Sequence, residues 1–153
     1  MQTQSTTVLT PLAEAYVSPV MEIKSEEFTS QIADAPKYVS KLSDPIVIEF
    51  FQPECETCEA IEDVWAEIAL DTTDVIIANY NCMADEASKM TCAGLHLKAT
   101  PTIIYLAPGK SAKHGGPPEF DFAGMQGTFT AVKFREWLDT VHPANNGDIT
   151  GEQ

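Results

Sequence analysis

The chain has 153 residues, 44% of them apolar, which is enough for one domain with a real core and too few for two. A net charge of −14 disfavours binding to nucleic acid or to an anionic membrane surface, because phosphate contacts rest on Lys and Arg. No apolar run approaches the roughly 20 residues of a membrane span, so no membrane insertion is expected.

Residues 1–20, rich in Thr, Ser and Gln, lack both a basic start and a continuous apolar stretch, and so read as a flexible arm rather than a secretory signal. Compartment stays open: the endoplasmic reticulum lumen or another secretory compartment if a signal was removed, the cytoplasm otherwise. Residues 20–24 form a short strand candidate, after which Ser25 can cap a helix opening with Glu26 and Glu27 and bending or restarting at Pro36. Residues 46–51, Ile-Val-Ile-Glu-Phe-Phe, read as a buried strand. From 55 to 70, Ile61, Val64, Trp65 and Ile68 recur at helical spacing and define one packed face.

A strand over 74–80 and a short helix over 84–93 closed by Gly94 come next. Residues 101–106 are a further strand, followed by a Gly- and Pro-rich loop over 108–118 and a return strand over 119–123. Thr128 or Thr130 can start a last helix whose apolar positions are Val132, Phe134, Trp137, Leu138 and Val141. Residues 143–153 read as a polar tail, and His96, His114 and His142 as scattered surface residues. Alternating strands and helices in this order predict an α/β fold: a mixed central sheet with helices on both faces.

Chemistry is concentrated in Cys55-Glu56-Thr57-Cys58, placed between the strand and the first long helix. Two cysteines three apart on a first helical turn can meet in one disulfide, and the exposed N–H groups and positive dipole end there favour a thiolate, the nucleophile of disulfide exchange. The same spacing forms half of a zinc knuckle. Cys82 and Cys92, ten apart, do not supply a second knuckle, which disfavours a metal site.

Four separated features make residues 21–142 resemble a thioredoxin-fold domain, and most closely a catalytic domain of the protein disulfide isomerase family. Val47-Ile-Glu-Phe-Phe51 with Cys55 and Cys58 looks like the family's strand and active-site helix. Ile61 and Trp65 follow at the family's spacing. Thr100-Pro101-Thr102 is similar to its cis-proline loop, and Phe122-Ala-Gly124 before a helix with Phe134 and Trp137 to its C-terminal end. The resemblance implies that Cys55 attacks a protein disulfide, that Cys58 resolves the mixed disulfide, and that no cofactor is needed. It implies further that Glu49 is a buried carboxylate able to relay a proton to and from Cys58, and that Thr100 and a cis Pro101 bind substrate backbone. Some domains of that family carry a second, non-catalytic disulfide in the segment holding Cys82 and Cys92, which implies a structural bridge between them.

The departures are electrostatic. Where the family usually has an aromatic residue before the first Cys, Gly and His between the pair and Lys after it, this chain has Glu54, Glu56-Thr57 and Glu59; residues 42–88 contain no Lys, Arg or His at all. A carboxylate about 8 Å from a thiolate, at an effective dielectric of about 40, costs about 1 kcal/mol, or roughly 0.7 pKa unit. A helix terminus contributes about 0.3–1 kcal/mol in the opposite sense, so two or three such carboxylates cancel it. The loop over 124–127 also lacks the Arg that the family commonly places before its last helix, and Lys133 and Arg135 sit on that helix instead.

The expected function is thiol–disulfide exchange or isomerisation on polypeptide substrates with disulfides or thiols, basic or unfolded ones given the acidic surface, with an unidentified redox partner restoring the pair. The competing expectation is a non-catalytic binding module in a larger assembly, its Cys pair structural or vestigial.

Overall fold

The computed structural model describes residues 19–34, 39–108 and 117–142. In chain order its elements are β1 (Met21–Ile23), α1 (Ser25–Glu27) running into a π-turn (Phe28–Ile32), β2 (Ala33–Asp34), β3 (Val39–Ser40), β4 (Ile46–Phe51), α2 (Glu56–Asp71), β5 (Ile76–Asn81), α3 (Glu86–Gly94), β6 (Thr102–Leu106) and α4 (Ala131–Val141). The expected tail 143–153, Pro36, His114 and all but residues 19 and 20 of the expected arm lie outside the described residues.

The main sheet has the order β1-β5-β4-β6, with β1 and β4 parallel to β5 and β6 antiparallel to β4. Its central strand, β4, is buried on both faces and, Glu49 apart, apolar, as a strand covered from both sides must be. Alternation sends Ile46, Ile48 and Phe50 into one cluster with Phe28, Ile32 and Tyr80, while Val47 joins the opposite cluster with Trp65, Ile68, Phe134 and Leu138. The first cluster is roofed by the α1 segment and α3, the second by α2 and α4: an α/β thioredoxin fold with helices on both faces of a mixed sheet. Trp65 is almost wholly buried and its indole N–H donates to the Ala78 carbonyl at 3.1 Å, which fixes α2 over the sheet.

Local expectations are corrected at several points. Ser25 is the first residue of α1, not its cap; Lys24 holds that place and its N–H donates to the Glu27 carboxylate at 3.2 Å, while the Ser25 hydroxyl donates to Asp85 at 3.0 Å. The long helix expected from Ser25 is cut short, because the π-turn that follows ends in β2, which pairs antiparallel with β3. Gly94 lies in the last turn of α3 instead of beyond it; Leu95 turns into the core, and the left-handed position falls on His96, with φ of 59°.

The return strand over 119–123 does not form. Glu119 makes an isolated bridge to Ile104, and the Phe120 N–H bonds to Ile103 at 2.9 Å before the chain turns at Asp121, whose carboxylate accepts from the Gly124 N–H. Phe120, Phe122 and Phe129 stack on one another, so ring packing replaces the ladder. Of the two candidate caps, Thr130 starts α4 by accepting from the Lys133 N–H at 3.1 Å.

His142 is no surface residue either. It ends α4 with its ring 2.9 Å from the Tyr105 hydroxyl and 3.5 Å from Asp74, which Arg135 grips through two hydrogen bonds. Burial pushes the His142 pKa down, and Arg135 holds the Asp74 carboxyl below its ordinary range.

Candidate active site

β4 delivers the chain to the site, since it ends at Phe51 and four residues later Cys55 stands as the N-cap of α2. Just before it, Glu54 adopts φ of 59°, a left-handed conformation that costs a non-glycine residue roughly 1 kcal/mol and turns the chain sharply into the helix. The Cys55 sulfur accepts from the Cys58 N–H at 3.1 Å, occupying one of the amides that a helix start leaves free. Cys55 and Cys58 are joined in a disulfide with Cα atoms 5.2 Å apart; Cys55 is half-buried and Cys58 is 5% exposed. Glu56 and Glu59, both exposed, occupy the first turn of the same helix.

Across from the sulfurs stands the Thr100-Pro101 loop, whose peptide bond is cis. The Thr100 carbonyl oxygen lies 3.7 Å from the Cys55 sulfur, and the Thr100 hydroxyl 3.8 Å from it. The Thr102 hydroxyl donates to the Ala99 carbonyl at 2.6 Å and braces the loop. Cys55, Cys58, Thr100 and Pro101 are thus gathered at one end of the sheet.

Glu49 comes from the middle of β4 on the α2 side and is 4% exposed. Its strand neighbours in register are Asn79 and Ile103, neither of them charged. Burial, with a smaller contribution from Glu62, raises its pKa from 4.5 to about 7. A cavity of about 230 Å³ connects it to Cys58, lined by Glu49, Cys58, Glu54, Glu59, Glu62 and Asn79 among others. Beyond Gln52 a second cleft of about 350 Å³ runs from Thr100 past Met83 and Leu97, with Lys89 and Lys98 beside it. The Cys pair therefore lies between an acidic hollow and a lysine-bearing groove.

Cys82 and Cys92 are joined to each other, both nearly buried, and tie the turn after β5 to the end of α3 where they wall the second cleft. Two features escaped sequence reading. Glu62 belongs to the cavity, a position visible in sequence only as the residue four beyond Cys58 on a helix of unknown orientation. Lys133 reaches back from α4 so that its ammonium donates to the carbonyls of Gln126 and Thr128, which places a cation in the loop that lacks one in sequence.

Chemically, a sulfur pair at a helix start, one member more exposed and the other beside a buried carboxyl, beneath a cis-proline loop, defines a thioredoxin-fold domain of the oxidoreductase type. The chain belongs to the thioredoxin family: the family model described as Thioredoxin matches residues 19–121. Protein disulfide-isomerase like 2-2 of Arabidopsis thaliana is 24% identical over 117 residues, which are 76% of this chain and 23% of that protein. The chain thus spans less than a quarter of the length of that curated relative. Among solved structures, ERdj5 form I superposes with a TM-score of 0.65 at 15% identity, covering 90% of this chain and 17% of that one. The short form of thioredoxin f from spinach chloroplast gives 0.56 at 20% identity, covering 85% and 96%. These likenesses establish the fold and a relation to the domains of the protein disulfide isomerase family.

Proposed function

We propose that residues 21–142 form a thiol–disulfide oxidoreductase domain acting on protein disulfides. The observation that supports this most is the placement of the Cys55 sulfur, at a helix start and 3.7 Å from the Thr100 carbonyl, with Cys58 sharing a cavity with Glu49 behind it. In the reduced domain the Cys55 thiolate attacks one sulfur of a substrate disulfide; a Cys55–substrate bond forms, and the other substrate sulfur leaves and takes a proton. Ionised Glu49 then takes the Cys58 proton, the Cys58 thiolate attacks the Cys55 sulfur, and the second substrate thiol is released. The substrate gains two electrons and two protons, and the domain ends as the disulfide. Renewed attack by the released substrate thiolate before Cys58 acts gives isomerisation instead.

Thr100 offers its backbone to an extended substrate strand, and Glu54, Glu56 and Glu59 favour basic or unfolded polypeptides. A separate reductant or oxidant resets the pair, and its direction determines whether the domain reduces or oxidises. Reduction of insulin with a dithiol as electron source tests the reading. The wild-type chain is expected to accelerate it and Cys55→Ser to abolish the acceleration; an inert wild type would favour the non-catalytic module.

The carboxylates around the pair set its poise. They oppose a thiolate and so destabilise the reduced state relative to the disulfide, which makes the couple more reducing. Glu56→His is expected to raise the reduction potential by about 20–30 mV, since each tenfold change in the equilibrium is about 30 mV. Equilibration with a glutathione buffer reads this directly, and an unchanged potential contradicts the electrostatic explanation.

A further inference from the structure

The hollow beside Cys58 holds more acid than the movement of one proton requires. Glu62 stands one turn beyond Cys58 on α2, four residues on, where helical side chains share a face, and it lines the same cavity as Glu49. Glu49 is faced from α2 by Cys58, Glu59 and Glu62, from the preceding loop by Glu54, and from β5 by neutral Asn79. Among the described residues, no Lys, Arg or His lines this cavity. Glu62 is exposed and keeps its water; Glu49 does not. A negative charge on a solvated carboxylate that shares a cation-free cavity with a buried carboxyl opposes ionisation of the buried one.

The geometry points to Glu62 as a positioning residue for disulfide exchange: from the outer lip of the cavity its carboxylate keeps the proton on Glu49 as neutral pH is approached, and so governs when Cys58 can lose its own. This rests on the role proposed above for Glu49. Glu62 lies outside the Cys-x-x-Cys motif, yet it is the charge that adds to burial in raising the Glu49 pKa. Glu49 accepts a proton only when ionised. Removing the charge of Glu62 therefore makes the base available at lower pH, and reversing that charge extends the effect.

The test is the pH profile of the resolving step in the full chain. Reduced protein is mixed rapidly with an aromatic disulfide whose thiol half is coloured when released. Attack by Cys55 forms the mixed disulfide and releases one aromatic thiolate; attack by Cys58 then forms Cys55–Cys58, breaks the Cys55–aryl bond and releases the second. The acid limb of the second phase is expected to move down by about half a pH unit in Glu62→Gln and further in Glu62→Lys, the effect of one charge across a partly wet cavity. Asp63→Asn, outside the cavity lining, should leave it in place. A limb unmoved in both Glu62 variants overturns the inference. Titration of the Glu49 carboxyl carbon by NMR in the oxidised chain tests the same coupling without turnover: a lower midpoint in Glu62→Gln supports it, and an unchanged one refutes it. An absent second phase in wild type would count against the proposed function, while this titration would still decide the coupling.

Discussion

Glu49→Leu is expected to stabilise the oxidised domain at pH 8 by about 2–3 kcal/mol and to slow its chemistry. Below pH 4.5 the side chain is a neutral acid in folded and unfolded chains alike, so it contributes no pH-dependent term. As pH rises the unfolded chain ionises first, because the folded-state pKa is raised from 4.5 to about 7. The unfolded state therefore binds fewer protons across this window, and stability falls as pH climbs through it. A shift of 2.5 units at 1.36 kcal/mol each is a cost of roughly 3 kcal/mol above pH 7. Leucine carries no such cost, so the gain should be full at pH 8 and largely gone near pH 4.5; urea denaturation at the two pH values reads it. The same substitution removes the base proposed for Cys58, and general-base catalysis of this kind contributes roughly 10²–10⁴-fold. A variant more stable and slower in the resolving step is the expected pair of results. Equal stability of variant and wild type at both pH values would contradict a raised pKa of Glu49 in the fold.

Replacing both Cys82 and Cys92 by Ala is expected to cost about 2–3 kcal/mol. The bridge closes a loop with sequence separation 10, and the chain-entropy relation for a loop of that size gives nearly 3 kcal/mol through the unfolded state. Both sulfurs also belong to the cluster under α3, so their loss leaves apolar contacts unmade. Denaturation in the absence of reductant should show the full difference. With reductant sufficient to open the bridge, the gap between wild type and variant should shrink to the part that comes from the lost sulfur contacts. Exchange at Cys55 should persist in the folded variant, because neither sulfur touches the Cys55–Cys58 pair in the mechanism proposed. A variant as stable as wild type would mean that the bridge constrains nothing the unfolded chain explores.

Much of this was legible in the sequence where a periodic pattern coincided with burial. Ile46–Phe51 announces a doubly covered strand, and Ile61, Trp65 and Ile68 announce the buried face of the helix that follows. Glu49 could be picked out because a lone carboxylate within that apolar run needs a reason. What escaped was set by tertiary choice. Phe120 and Phe122 satisfy a strand pattern as well as an aromatic cluster with Phe129, and ring packing won. His142 carries no periodic signal, yet the end of α4 brings it to Tyr105 and Asp74. Glu62 and the ammonium of Lys133 become meaningful only when α2 faces β4 and when a long side chain folds back over its own helix start. Sequence spacing locates residues on one element; it does not tell which element they will face.

The most direct measurement of whether Cys55 and Cys58 exchange disulfides is their reduction potential in a glutathione or dithiothreitol buffer, with the reduced pair identified by alkylation. A reversible two-electron couple between about −200 and −300 mV is expected, on the reducing side of the roughly −180 mV of protein disulfide isomerase because of the surrounding carboxylates. A pair that resists reduction well below about −300 mV, or that reduces only on unfolding, would be an inert structural disulfide and would contradict exchange at this site.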